Sequence, residues 1–325
     1  MIRYLTHDQI DFEKWDDCID RAVNGIFYAY SWYLDMTATP WDALVEDDYR
    51  AVMPLPRRKK FGIHYVYQPF FIQQLGVFST YSLSGEVTLR FVKAIPDHFR
   101  FIDYQLNTYN QLQESENFHL GKRITYELDM ISPYEVLKKQ YSKNTLRNIK
   151  KAVKKGVFIT PHGKPEEIIN VFRKNRGRKI DAFSYQDYNV LKHLTYAGLH
   201  RGMVSIRSAY SQENNFCAGI IFFRSHKKAV FLFSGATPQA RENGAMALLV
   251  DDFIREHAES ELILDFEGSS IPNLARFYRG FGSKECVFLQ MKINRLPGII
   301  KPMVNVYQNL RKSFIIPKPF KPAAK

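Results

Sequence analysis

Asp265 and Glu267, in the segment LDFEGSS at residues 264–270, are the acids the sequence places best for chemistry. They close a short apolar run, Leu262–Phe266, that reads as a buried strand. In an extended chain, residues two apart point to the same side. A carboxylate at the mouth of a strand can accept a proton from an attacking amine. The competing reading is local: Glu267 caps the turn or pairs with Arg276 or Arg279. Upstream, FLFSGATPQARENGAMALL at residues 231–249 runs from a strand through a glycine-containing loop into a helix. Such a junction gathers free N–H groups and the positive end of a helix, which suits a phosphate or a developing oxyanion. Arg241, Asn243 and Gly244 lie in that junction.

A third feature is the basic segment YSKNTLRNIKKAVKKG, residues 141–156. Lys143, Arg147, Lys150, Lys151, Lys154 and Lys155 recur with helical spacing and form one stripe. Leu146, Ile149 and Val153 fall opposite and are expected to dock on a core. No acid interrupts the stripe, so its charges are not paired along the helix. It is either a solvated face or a seat for phosphates. A second cluster, RKNRGRK, covers Arg173 to Lys179 at an expected helix end.

The whole chain of 325 residues carries 46 basic and 33 acidic side chains, net +13, an excess that favours an anionic partner. No apolar run is long enough to span a membrane, and the N-terminus lacks the pattern of a signal peptide. Three scattered cysteines, Cys18, Cys217 and Cys286, argue against disulfides and zinc and fit a reducing compartment. The expectation is a soluble, cytoplasmic protein. Serine-hydrolase, zinc-protease, P-loop and dinucleotide signatures are absent.

These groups need elements to position them. In the second half, Tyr185–Arg201 reads as a helix, followed by strands at Met203–Tyr210, Phe216–Arg224 and Ala229–Ser234. A helix from Thr237 to His257, a strand at Leu262–Phe266, a helix at Ser270–Phe281 and a strand at Lys284–Ile293 follow. The first half repeats the order more faintly. It has helices at Gln9–Arg21 and Ser31–Ala38, and strands at Ala43–Glu46, Arg50–Leu55 and His64–Tyr67. A helix at Gly85–Ile95 and strands at Phe101–Leu106 and Arg123–Met130 complete it. The pattern predicts an α/β (mixed α+β) fold duplicated as two domains, 1–131 and 132–296. The second is led by one basic helix over 133–155. Residues 297–325 are basic and acid-free, with an apolar helical spacing at Ile299, Met303, Tyr307 and Leu310. Segment 297–312 suits peripheral contact with an anionic membrane, at the inner face.

Three stretches together resemble the FemABX-like branch of the GNAT acyltransferase superfamily: SKNTLRNIKKAVKKGV, SGATPQARENGAMALL and above all LDFEGSSIPNLARFYRGFGSKE. FYAYSWYLDM, residues 27–36, is similar to the motif that opens the family's first domain. The resemblance implies two tandem GNAT folds, each a mixed twisted sheet flanked by helices, and transfer of an acyl or aminoacyl group to an amine. The donor it implies carries phosphate, either aminoacyl-tRNA or an acyl-CoA-type thioester, with no tightly bound cofactor. It places substrate phosphates at Lys143, Arg147, Lys150 and Lys151, with Arg241, Asn243, Gly244, Tyr278 and Arg279 lining the rest of the site. Cell-wall members carry Phe-Lys where this chain has Phe277–Tyr278, and the CoA loop of ordinary GNAT enzymes ends in Gly or Ala where this chain has Met246. A non-catalytic binder of RNA or anionic membrane is the alternative on the same scaffold.

Overall fold

The structure, a computed structural model, describes residues 1–177, 183–268 and 271–296. Its first half runs β1 (Ile2–Leu5), α1 (Phe12–Arg21), α2 (Ser31–Ala38), β2 (Trp41–Glu46), β3 (Ala51–Lys60), β4 (Ile63–Val66), β5 (Phe78–Ser79), α3 (Gly85–Lys93), β6 (Phe99–Gln105) and β7 (His119–Asp129). The second half begins with α4 (Tyr134–Lys139), α5 (Lys143–Lys154), β8 (Phe158–Thr160), α6 (Pro165–Lys174) and α7 (Tyr185–His200). It continues with β9 (Val204–Tyr210), β10 (Phe216–Ser225), β11 (Lys228–Ala236), α8 (Pro238–Asn243), α9 (Ala245–His257), β12 (Ile263–Asp265), α10 (Pro272–Arg279) and β13 (Lys284–Asn294).

The architecture is mixed α/β. Among the described residues the strands form one sheet in the order β1-β2-β3-β4-β6-β13-β7-β12-β11-β10-β9-β8, with β5 paired to β3. Read inward from either edge, the pattern is the same. Three antiparallel pairings are followed by one parallel pair, β4 with β6 or β11 with β12, and then one antiparallel pairing. The last strand of each half has crossed over: β13 sits beside β6, and β7 beside β12. β13 and β7 then pair with each other at the centre.

Helices cover the sheet, so central strands lose the polar alternation of a half-exposed strand. β10 is buried from Cys217 to Phe223, and its Phe222 ring stacks on Phe253 of α9 at 4.0 Å. Burying such a ring stabilises the fold by about 1.5–3 kcal/mol. α6 and α7 pack the other face. Pro165 opens α6, Glu166 and Glu167 fill its first turn, and Arg173 and Lys174 its last, matching the helix dipole.

Three expected helices differ. The single helix expected over 133–155 is two, α4 and α5, because Ser142 turns extended and its Oγ accepts the Thr145 N–H at 3.1 Å. The helix expected over Thr237–His257 breaks at Gly244, whose φ of +80° ends α8 and starts α9. A Cβ at Gly244 would lie 2.2 Å from the Asn148 carbonyl oxygen of α5, so only glycine fits the joint. The last, expected over Ser270–Phe281, runs from Pro272, at its first helical position, and ends at Arg279; Ser270 lies outside the described residues. On α5 the docked face is set by Thr145, Ile149 and Ala152; Val153 lies off its edge and is 63% exposed, not docked. Strands β1, β5 and β8 were not expected. The second cluster's Arg178 and Lys179, and the segment 297–312, lie outside the described residues.

Candidate functional site

β11 and β12 run parallel only from Lys228↔Ile263 to Val230↔Asp265, and then part. β11 continues to Ala236 along β10. The chain leaving β12 instead follows β7: the Phe266 N–H donates to the Tyr126 carbonyl at 2.9 Å. Gly268 lies so close to that strand that a Cβ would stand 1.9 Å from the Ile124 carbonyl oxygen. Residues 266–268 therefore bend away from β11 and open a split in the sheet, with Glu267 at its mouth.

Glu267 adopts φ +55°, a left-handed conformation that costs a non-glycine residue about 1 kcal/mol or more. Two contacts hold it. Its N–H donates to Asp265 Oδ1 at 2.8 Å, and its Oε1 accepts the hydroxyl proton of Tyr28. Tyr28 comes from a short 3-10 turn, Phe27–Ala29, of the first half and is almost fully buried. Burial pushes the Glu267 carboxyl up to about 8; the Tyr28 hydroxyl opposes the shift and the Asp265 charge adds to it. Asp265 is 2% exposed. Thr125 donates to its Oδ1, and the Lys228 ammonium lies 3.5 Å from its Oδ2. Burial raises the Asp265 carboxyl as well, and Lys228 works against that.

Tyr278 belongs to this group. Its ring stacks on Phe266 at 5.0 Å, and its hydroxyl is raised by burial and by the Glu267 charge. Arg279 does not reach Glu267; it pairs with Glu285 at 3.6 Å. Asn243 is buried, donating to Cys217 Sγ at 3.2 Å and accepting the Ala245 N–H at 3.0 Å. With Gly244 it builds the α8–α9 joint beneath α5, while Arg241 is exposed. Lys143, Arg147, Lys150, Lys151, Lys154 and Lys155 are all exposed. Arg147 bonds Asn144 Oδ1 at 2.7 Å. Among the described residues no hydrogen bond or ion pair joins this stripe to Asp265 or Glu267. The structure thus brings Asp265, Glu267 and Tyr278 together; the α5 stripe is exposed, and the start of its helix is tied to the end of α10, where the Ser142 N–H donates to the Gly280 carbonyl at 2.9 Å.

A cavity of about 360 Å³ lies between α6 and α7, lined by Asn170, Arg173, Lys174, Gly177, Phe183 and Tyr188. Its wall stacks onto the first half: Phe183 lies parallel to Phe71 at 5.4 Å. Arg173 stands over the rings of Tyr185 and Tyr188, 5.7 Å from each. The charge of Arg176, next to the lining residue Gly177, acts on the Tyr278 hydroxyl against the upward shift. Two cations, an amide and aromatic walls, with no acid among the described lining residues, suit an anion carried on an organic body.

Tyr28, Thr125 and Lys228 were not singled out from sequence, whereas Arg176 belongs to the second basic cluster. Tyr28 lay inside the recognised segment FYAYSWYLDM, and Lys228 follows Lys227 in a polar turn at the start of an apolar strand. Thr125 gave no signal.

Solved structures share the fold of this chain. Superposition on FemX gives a TM-score of 0.59 at 11% identity, covering 95% of this chain and all of FemX. A conserved protein of unknown function from Bacteroides thetaiotaomicron gives 0.57 at 10% identity, covering 90% of this chain and all of that one. L-PGS from Bacillus licheniformis gives 0.53 at 10%, covering 93% and 96%. The fold is the one shared by FemX and L-PGS. No family model and no curated sequence matches the chain. No helix among the described residues is long and apolar enough to cross a membrane.

Proposed function

We propose that this protein is an acyl- or aminoacyltransferase in which Glu267 takes a proton from an amine nucleophile at the split between β11 and β12. The observation that carries this reading is the Glu267 carboxyl itself. It is drawn out of water at the mouth of the split, kept above the usual carboxylate range at about 8, and aimed by a tyrosine from the other half. A proton acceptor works best when its pKa lies near the operating pH. As the amine nitrogen bonds to the acyl carbon, its proton passes to the Glu267 carboxylate. The bond from that carbon to the donor's sulfur or oxygen then breaks, and the leaving atom takes up a proton. Asp265 is enclosed by donors and holds the backbone of Glu267. Tyr278 walls the site.

The donor's phosphate fits the cationic cavity of Arg173 and Lys174. The α5 stripe, with Lys143, Arg147, Lys150 and Lys151 in open solvent, suits an extended polyanion such as tRNA better than an enclosed phosphate. FemX and L-PGS, with which the fold is shared, support transfer chemistry as the class. The two halves are read as tandem GNAT-type domains, 1–131 and 132–296, joined by exchange of their last strands.

The test is a thermal-shift panel of CoA, acyl-CoAs, tRNA and UDP-linked sugars, followed by turnover with the donor that stabilises the fold. Turnover is expected to rise with pH through about 8 as Glu267 ionises, and Glu267→Gln is expected to abolish that limb. The same limb in the variant would assign it to the amine substrate and remove Glu267 from the step.

A further inference from the structure

Lys228 opens β11, next to β12, with a largely buried side chain. Its ammonium lies 2.6 Å from Glu127 Oε1 on β7 and 3.5 Å from Asp265 Oδ2 on β12. Glu127 and Asp265 stand opposite each other in the β12–β7 register, and Thr125, two residues back along β7, donates to Asp265 Oδ1. Cys286 of β13, paired with Thr125, completes the surroundings; burial raises its thiol, and Glu127 adds to the rise. Burial alone would lower the Lys228 ammonium, and the two carboxylates more than reverse that. Without the ammonium, the buried Asp265 carboxylate would face the partly buried Glu127 carboxylate across adjacent strands, and one would have to protonate or turn away.

That Asp265 carboxylate also holds the left-handed backbone of Glu267. We propose that Lys228 is a positioning residue for Glu267: with Thr125 and Glu127 it fixes the Asp265 carboxylate, which holds the Glu267 amide and so sets where the Glu267 carboxyl points. The role rests on Glu267 being the proton acceptor, but the arrangement can be tested without any substrate. Lys228 reaches no reacting atom; it acts through Asp265 alone.

The experiment is amide hydrogen exchange by NMR on the full chain. In Lys228→Met the Glu267 amide is expected to exchange about tenfold faster or more, while β9 and β10 amides keep their wild-type rates. Lys228→Arg keeps the charge and is expected to hold the Glu267 amide within about twofold of wild type. Thr125→Val, which removes one donor to the same oxygen and leaves the ion pair, is expected to accelerate that amide about threefold. An unchanged Glu267 amide in folded Lys228→Met overturns the proposal, and so does acceleration spread evenly over the sheet. If Lys228→Met does not fold, an unchanged amide in Thr125→Val overturns it instead. Wild-type turnover in Glu267→Gln would remove the proton-transfer reading and leave the exchange result standing.

Discussion

The two parallel strand pairs of the sheet end in opposite ways. Beyond β4 and β6 the chain folds back and fills the gap. Leu75 bridges Leu106, Gln68 Oε1 accepts the Gln105 N–H at 3.0 Å, and the Gly76 N–H donates to the Tyr104 hydroxyl. Three buried amides, Asn24, Asn107 and Asn110, bond one another and the Val77 carbonyl. Beyond β11 and β12 the strand pairing simply stops, and the polar group there is the Glu267 carboxyl with a raised pKa, bonded to Tyr28. A closed set of neutral amides satisfies itself and has no use for a ligand. An ionisable group held out of water by a strained backbone has a cost to recover, which is why such groups mark functional sites. One topology therefore gives a filled plug in one half and a candidate reaction site in the other.

The sharpest way to break this contrast is to put a charge into the plug. The Asn110 amide donates to Val77 O at 3.0 Å and to Asn107 Oδ1 at 3.2 Å, while its Oδ1 accepts the Val77 N–H at 2.7 Å. Asn110→Asp sets oxygens against oxygens in a buried site. It is expected to lower the free energy of unfolding by about 3 kcal/mol or more, read from urea denaturation. A loss below about 1 kcal/mol would mean that this half tolerates an acid as the other does.

Glu267→Gln tests the open split. Turnover is expected to fall by about 10²-fold or more, roughly 2.7 kcal/mol in the barrier, with donor affinity nearly unchanged. Steady-state kinetics decide it, and wild-type turnover in both Glu267→Gln and Asp265→Asn would leave catalysis to positioning alone.

The same substitution has a signature in stability. The folded-state pKa of Glu267 lies above its ordinary 4.5, at about 8, so the unfolded chain loses this proton first. The stability tied to the neutral carboxyl is complete below about 4.5 and is lost as pH rises through about 8, at up to about 1.4 kcal/mol per pH unit. Wild type minus Glu267→Gln should show that slope in unfolding free energies at pH 5, 6 and 7. A flat difference would place the Glu267 carboxyl in water.

What was legible in the sequence follows the same divide. Apolar runs announced β10 and β11 to within a few residues, because helices bury them on both faces, and alternation announced β13. LDFEG announced the open split, since an acid directly after an apolar strand has few reasons to be there. Contacts between distant segments stayed hidden. Tyr28 reaches Glu267 across 239 positions and Thr125 reaches Asp265 across 140. The exchange of β7 and β13 between halves leaves no local trace either. The breaks at Ser142 and Gly244 were hidden in part by the apolar period, which runs straight across each pair of helices.

The smallest expected effect concerns the α5 stripe, which sequence made the most conspicuous feature. Arg147 is exposed, and its recorded partner is the neighbouring Asn144. Exposed charges without an ion-pair partner contribute little to folding, so Arg147→Ala should change the unfolding free energy by no more than about 0.5 kcal/mol. Its effect should surface only with a polyanion. If the stripe carries tRNA, the substitution should weaken binding severalfold at low salt, and the slope of log affinity against log salt should become shallower by about one. A filter-binding series from 50 to 200 mM salt, a range of about a factor of four, reads both changes. Equal slopes for wild type and variant would make the stripe a solvated face and leave the cationic cavity between α6 and α7 as the place where phosphate meets the protein.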